Sequence, residues 1–101
     1  MDRFAVTWSP QVRDDLHDIA AYIAKDSPRY AAAVIGRILL AARNLETLPW
    51  RGRVLPELGL DNHREVFVHE YRLIYRIDDL TVQILAIIHG RRLLENTRFG
   101  E

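Results

Sequence analysis

Apolar positions along the chain switch between two periods, helical in the first half and alternating in the second. Residues 3–8, Arg-Phe-Ala-Val-Thr-Trp, are rich in β-branched and aromatic side chains and predict a short strand. Ser9-Pro10 predicts a helix start, because the Ser hydroxyl satisfies an orphan N–H and Pro suits the first helical position. Val12, Leu16, Ile19 and Ile23 then mark one face of an amphipathic helix ending near Lys25, with Asp14 and Asp15 towards the end where the helix dipole favours negative charge. Asp26-Ser27-Pro28 repeats the cap and restarts the pattern. Val34, Ile38, Ala41, Leu45 and Leu48 form a continuous stripe, flanked by Ile35, Leu39 and Ala42, that predicts a second helix to about Leu48, before Pro49. So short a connection predicts an antiparallel helix hairpin.

Residues 49–62 hold two prolines and two glycines and predict a long, potentially functional loop. Three strands follow, over 63–69, 71–77 and 81–88. In the second, Tyr71, Leu73, Tyr75 and Ile77 share one face, and Arg72, Ile74 and Arg76 the other. Asp78-Asp79 predicts the next turn. In the last strand Val82, Ile84, Ala86 and Ile88 are expected to face one way and Leu85 and Ile87 the other, which predicts a covered strand inside the sheet. The expected fold is α+β, in the order β-α-α-β-β-β, with the helix hairpin on one face of a small antiparallel sheet. Arg72 and Arg76 would lie on the opposite face.

The chain has 101 residues, which suits one domain spanning 1–101. It has no cysteine, which excludes disulfide scaffolds, thiolate metal sites and cysteine nucleophiles, and fits a cytoplasmic setting. The longest apolar run, Ile84 to Ile88, is far short of the about 20 residues that span a membrane. Net charge is zero, and Lys25 is the only lysine among 14 basic side chains. Arginine suits forked hydrogen bonds at partner surfaces. The balanced charge argues against a module that grips nucleic acid by charge alone. Asp14, His17 and Asp18 lie on adjacent helical turns, but no second cluster completes a metal site, and no cofactor motif is present. There is no nucleophile elbow for triad chemistry.

Several short motifs stand in a telling order: Trp8-Ser9-Pro10; Leu45-x-x-Leu-Pro-x-x-Gly-Arg53; Pro56-Glu57; Arg64-Glu65; Tyr71-Arg72-Leu73-Ile74-Tyr75-Arg76; and Ile88-His89-Gly90-Arg91-Arg92. In this order they resemble the RelE/ParE superfamily of toxins from type II toxin–antitoxin modules, over nearly the whole chain, and most of all its ParE-like branch. The resemblance implies a cognate antitoxin, ParD-like, in a hetero-oligomer. It also implies one of two activities. ParE-like members bind and poison DNA gyrase; RelE-like members cut messenger RNA on the ribosome.

The nuclease needs a base, an acid and cations around the phosphorane. By resemblance the candidates are Glu57 as base, Arg72 as phosphate clamp, and His89 or Arg91. The closing zone reads His89-Gly90-Arg91-Arg92, without the His-Tyr or Tyr pattern in which RNA-cutting relatives place the acid. The gyrase-binding reading is therefore preferred, with Arg72, His89, Arg91 and Arg92 as target-binding residues and no direct sequence-specific DNA contact. Trp50 and Arg53 are assigned to partner binding, because Trp and Arg dominate interface hot spots. Plainer readings stand beside these: Trp50 as a lid on the helix hairpin, and Arg72 and Arg76 paired with Glu65, Glu70 or Asp78 within the sheet.

Overall fold

The computed structural model describes residues 3–90. It begins with strand β1 (Ala5–Trp8), followed by helices α1 (Pro10–Ala24) and α2 (Pro28–Asn44). Both helices are capped as the sequence predicts. Ser9 accepts from the Val12 N–H at 3.2 Å, Ser27 accepts from the Tyr30 N–H at 3.1 Å, and each helix has Pro in its first turn. No acidic residue lies in the first turn of α1, so Asp14 and Asp15 sit beyond the strongest dipole field. The second helix ends at Asn44 rather than Leu48. Tight turns carry the chain on, with Leu45, Glu46 and Thr47 N–H groups donating to Ala42, Arg43 and Asn44 carbonyls.

A short 3-10 turn (Pro49–Arg51) and a two-residue strand, β2 (Arg53–Val54), occupy the expected loop. Strands β3 (His63–Val68), β4 (Tyr71–Asp78) and β5 (Thr81–His89) follow. The sheet order is β1-β5-β4-β3-β2. Neighbours pair antiparallel except β1 and β5, which run parallel. The sheet is thus mixed, within the expected α+β layering. A parallel neighbour needs a long crossover, and the helix hairpin with the strands after it supplies one.

The helices cover one face of the sheet. Val12, Val34, Ile38, Ala42 and Leu45 meet Leu73, Tyr75, Ile77, Val82, Ile84 and Ile87 in the main core, with Leu16, Ile19 and Ile23 packed against it. A second, smaller cluster lies on the far face: Leu55, Ile74, Leu85, Ala86 and Ile88. This corrects the strict alternation expected in β5. Ile74 pairs with Ala86 but Tyr75 pairs with Ile84, leaving Leu85 as a bulge. One extra residue switches the pleat, so Ile87 joins Val82 and Ile84 under the helices, while Ala86 and Ile88 turn to the far face.

Candidate functional site

The loop between α2 and β3 is tied down by residues within the recognisable motifs. Tyr75 is fully buried, and its hydroxyl donates to the Pro49 carbonyl at 2.7 Å and accepts from the Gly52 N–H at 3.1 Å. Burial pushes the Tyr75 phenol pKa up, so the hydroxyl keeps its proton for the Pro49 bond. A Cβ on Gly52 would lie 2.6 Å from the Glu65 carbonyl oxygen, so only glycine allows this approach. Arg64 holds the loop from its other side. Its guanidinium donates to the Asp61 carbonyl at 2.7 Å, the Asp61 carboxylate at 2.8 Å and the Gly52 carbonyl at 3.0 Å, and lies 5.1 Å from the centre of the Trp50 ring. Trp50 remains about half exposed, against Arg64.

This anchoring brings Glu57 over the far face of the sheet, onto Arg72. Arg72 Nη1 and Nη2 donate to Glu57 Oε2 and Oε1, each at 2.7 Å, a forked pair. Arg72 Nε donates to Glu65 Oε1 at 2.6 Å. The other oxygen of Glu65 accepts from Arg53 Nε. Glu65 is 1% exposed and Arg72 5%. The Glu57 hydrogen bonds raise the Arg72 pKa above its ordinary value; burial opposes them and Glu65 adds to them, so Arg72 stays cationic. Among the described residues, this chain joins two carboxylates and two guanidinium groups, which balance in charge. Arg53 also covers the Phe67 ring, 5.3 Å from its centre.

Within β4, Arg76 donates to Asp78 at 2.5 Å and to Gln83 Oε1 at 2.8 Å. The pairings weighed for Glu65 and Asp78 therefore exist, with Arg72 and Arg76 respectively. Glu70 instead lies 3.7 Å from His89 Nε2.

Glu57, Arg72 and Arg53 thus share one network, but His89 is placed elsewhere. It pairs across the sheet with Tyr71, and the two rings meet edge to face at 5.9 Å. Arg72 pairs with Ile88. Cross-strand partners share a face and successive residues alternate, so Arg72 and His89 project from opposite faces. Arg91 and Arg92 lie outside the described residues. Sequence reasoning singled out Glu65 only as a motif residue and a generic cross-strand partner. Its central place between two arginines depends on β2 and β4 flanking β3. Among the described residues, no group of three or more His, Cys, Asp or Glu side chains could hold a metal ion. No described helix is long and apolar enough to cross a membrane.

Comparison with known proteins agrees with this architecture. A protein named "Putative toxin Y4kP" from Sinorhizobium fredii is 33% identical over 94 residues, covering 91% of this chain and 94% of the relative. The toxin–antitoxin complex RelBE2 from Mycobacterium tuberculosis includes a chain 34% identical, with a TM-score of 0.60, covering 88% of this chain and 93% of that one. A chain of the chromosomal ParDE toxin–antitoxin system from P. aeruginosa shares the fold at 19% identity, with a TM-score of 0.70, covering 86% of this chain and 96% of that one. The sequence profile of the ParE toxin of the type II toxin–antitoxin system parDE matches residues 6–94. The chain belongs to the ParE toxin family of type II toxin–antitoxin systems, within the RelE/ParE superfamily.

Proposed function

We propose that this toxin acts as a ParE-like inhibitor that binds DNA gyrase in the cytoplasm and is held inactive by a cognate antitoxin. The observation that carries this choice is the forked pair between Glu57 and Arg72. RNA cleavage through the 2′-hydroxyl needs a base ready to take a proton and a cation ready for the phosphorane. Here the two candidates neutralise each other at 2.7 Å, and Glu65 adds a further carboxylate to Arg72. Among the described residues this network offers a phosphate no surplus positive charge. Of the two other candidates, His89 belongs to the other face of the sheet, and Arg91 lies outside the described residues. A protein target requires no proton transfer, and a chain with zero net charge meets one without penalty.

On this reading the toxic surface lies at the end of β5, with His89 and the arginines that follow it in sequence, Arg91 and Arg92. Trp50 and Arg53, both partly exposed beside the anchored loop, serve partner binding. The RelBE2 and ParDE likenesses support the antitoxin, since both come from toxin–antitoxin systems. The test is a pair of cell-free assays with purified toxin. One follows gyrase supercoiling and cleavage complexes; the other follows the integrity of ribosome-bound mRNA. Gyrase inhibition with intact mRNA is expected. Ribosome-dependent mRNA cleavage without any effect on gyrase would overturn the proposal.

A further inference from the structure

A cleft of about 200 Å³ opens where the turn between α1 and α2 meets the turn between β3 and β4. Three of the chain's four tyrosines, Tyr22, Tyr30 and Tyr71, line it, beside Ile23, which packs against the main core. The local sequence holds the rings there. Asp26 and Ser27 N–H groups donate to the Ile23 carbonyl at 3.1 and 3.0 Å, ending α1, and the Ser27 hydroxyl then caps α2 at the Tyr30 N–H. Across the cleft, His69 takes φ of 54° in the turn between β3 and β4, and its ring meets that of Tyr30 edge to face at 5.9 Å. Tyr22 is 70% exposed and Tyr30 48%. Large rings held in water around one cleft mark a contact surface.

The charge of the cleft has one sign. Asp26 and Glu70 line it, and among the described residues no Lys or Arg does. Lys25 and Arg29, close by in sequence, are not part of its walls. Neither carboxylate has a Lys or Arg partner among the described residues; Glu70 instead faces His89 Nε2 at 3.7 Å. Burial, then the Glu70 carboxylate and the Tyr22 and Tyr30 phenols, push the Tyr71 pKa up, as expected in a cleft that holds no cation. Ring faces and carboxylates together make a receptor for a cation. A guanidinium suits it best, since its flat face stacks on aromatic rings while its N–H groups fork onto a carboxylate. The cleft also adjoins the end of β5: Tyr71 pairs with His89, and the Glu70 carbonyl accepts from the Gly90 N–H at 2.6 Å.

We infer that this cleft seats an arginine side chain of the toxin's protein target. The guanidinium lies among the rings of Tyr22, Tyr30 and Tyr71, and Asp26 and Glu70 balance its charge. This rests on the gyrase-binding reading and gives the target surface a second anchor beside His89.

The test has two arms. In the first, purified toxin alone is titrated with N-acetylarginine amide and followed by the ring proton resonances of Tyr22 and Tyr30. Saturable shifts are expected, with an affinity at least about fivefold above that for the uncharged N-acetylcitrulline amide. The second arm compares gyrase inhibition by variants. Tyr22→Ala/Tyr30→Ala should lose about tenfold in potency, whereas Tyr22→Phe/Tyr30→Phe, which keeps the rings, should stay within about threefold of the wild type. Asp26→Asn/Glu70→Gln should lose about tenfold at low salt, and less as salt rises. Thermal unfolding of each free variant checks that the fold is kept, and the first arm needs no variant. No saturable shift with N-acetylarginine amide, or potency within about twofold of the wild type for folded Tyr22→Ala/Tyr30→Ala, would overturn the arginine site while leaving gyrase inhibition in place. A wild-type toxin that leaves gyrase active would overturn the gyrase-binding reading, and this inference with it.

Discussion

The two faces of the sheet are built on different principles. The helix-side face is a continuous apolar core in which Ile38, Leu45, Tyr75, Val82 and Ile84 are fully buried. The far face combines a small apolar cluster with an ionic chain running from Glu57 through Arg72 and Glu65 to Arg53. Burial of apolar area is non-directional, so the first face tolerates adjustment. A buried ionic chain works only if its partners stay in register. The Glu57 end of that register depends on a loop, held in place by Tyr75 and Arg64. Charged residues at the far face therefore need not be catalytic to be closely constrained in position.

The sharpest contrast comes from truncating each face. Ile38→Ala removes a fully buried side chain from the helix-side core and should lower unfolding free energy by about 4 kcal/mol in denaturant titration. Glu65→Ala removes the carboxylate that bridges Arg72 and Arg53; the expected loss is about 3 kcal/mol by the same measurement. If Glu65→Ala proved neutral, the ionic chain would not be a structural element at all. Tyr75→Phe keeps the core filled but strips the hydroxyl from Pro49 and Gly52, and should cost about 1–2 kcal/mol. Faster hydrogen exchange at Gly52 should accompany it. The smallest effect is a gain. Asp79 has φ of 50° in the turn between β4 and β5, a region that glycine enters without strain, so Asp79→Gly should add about 0.5 kcal/mol in thermal unfolding.

Legibility in the sequence divides along the same line. The helix-side face could be read because Val12, Leu16, Ile19 and Ile23, and Val34, Ile38 and Leu45, repeat with helical period, and both Ser-Pro caps carry a local signal. The parallel docking of β1 on β5 is a long-range choice with no local mark. The bulge at Leu85 was hidden because β5 is apolar on both sides, so a one-residue shift leaves no polar residue misplaced. The Glu57–Arg72 fork was equally hidden. Fifteen residues separate its partners, and neither differs in type from the charged residues that stay in water. The motifs around Gly52, Arg64 and Tyr75 suggested the family, while their work, anchoring a loop over the far face, emerged only in three dimensions.

The most direct test of the account is Glu57→Gln, assayed side by side for gyrase inhibition and for cleavage of ribosome-bound mRNA. Glutamine keeps an acceptor for Arg72 but cannot act as a base. The expected result is a folded variant that inhibits gyrase within about twofold of the wild type, with mRNA intact for both. Ribosome-dependent cleavage by the wild type that falls on the order of 10²–10⁴-fold in Glu57→Gln, with no gyrase inhibition by either, would contradict it.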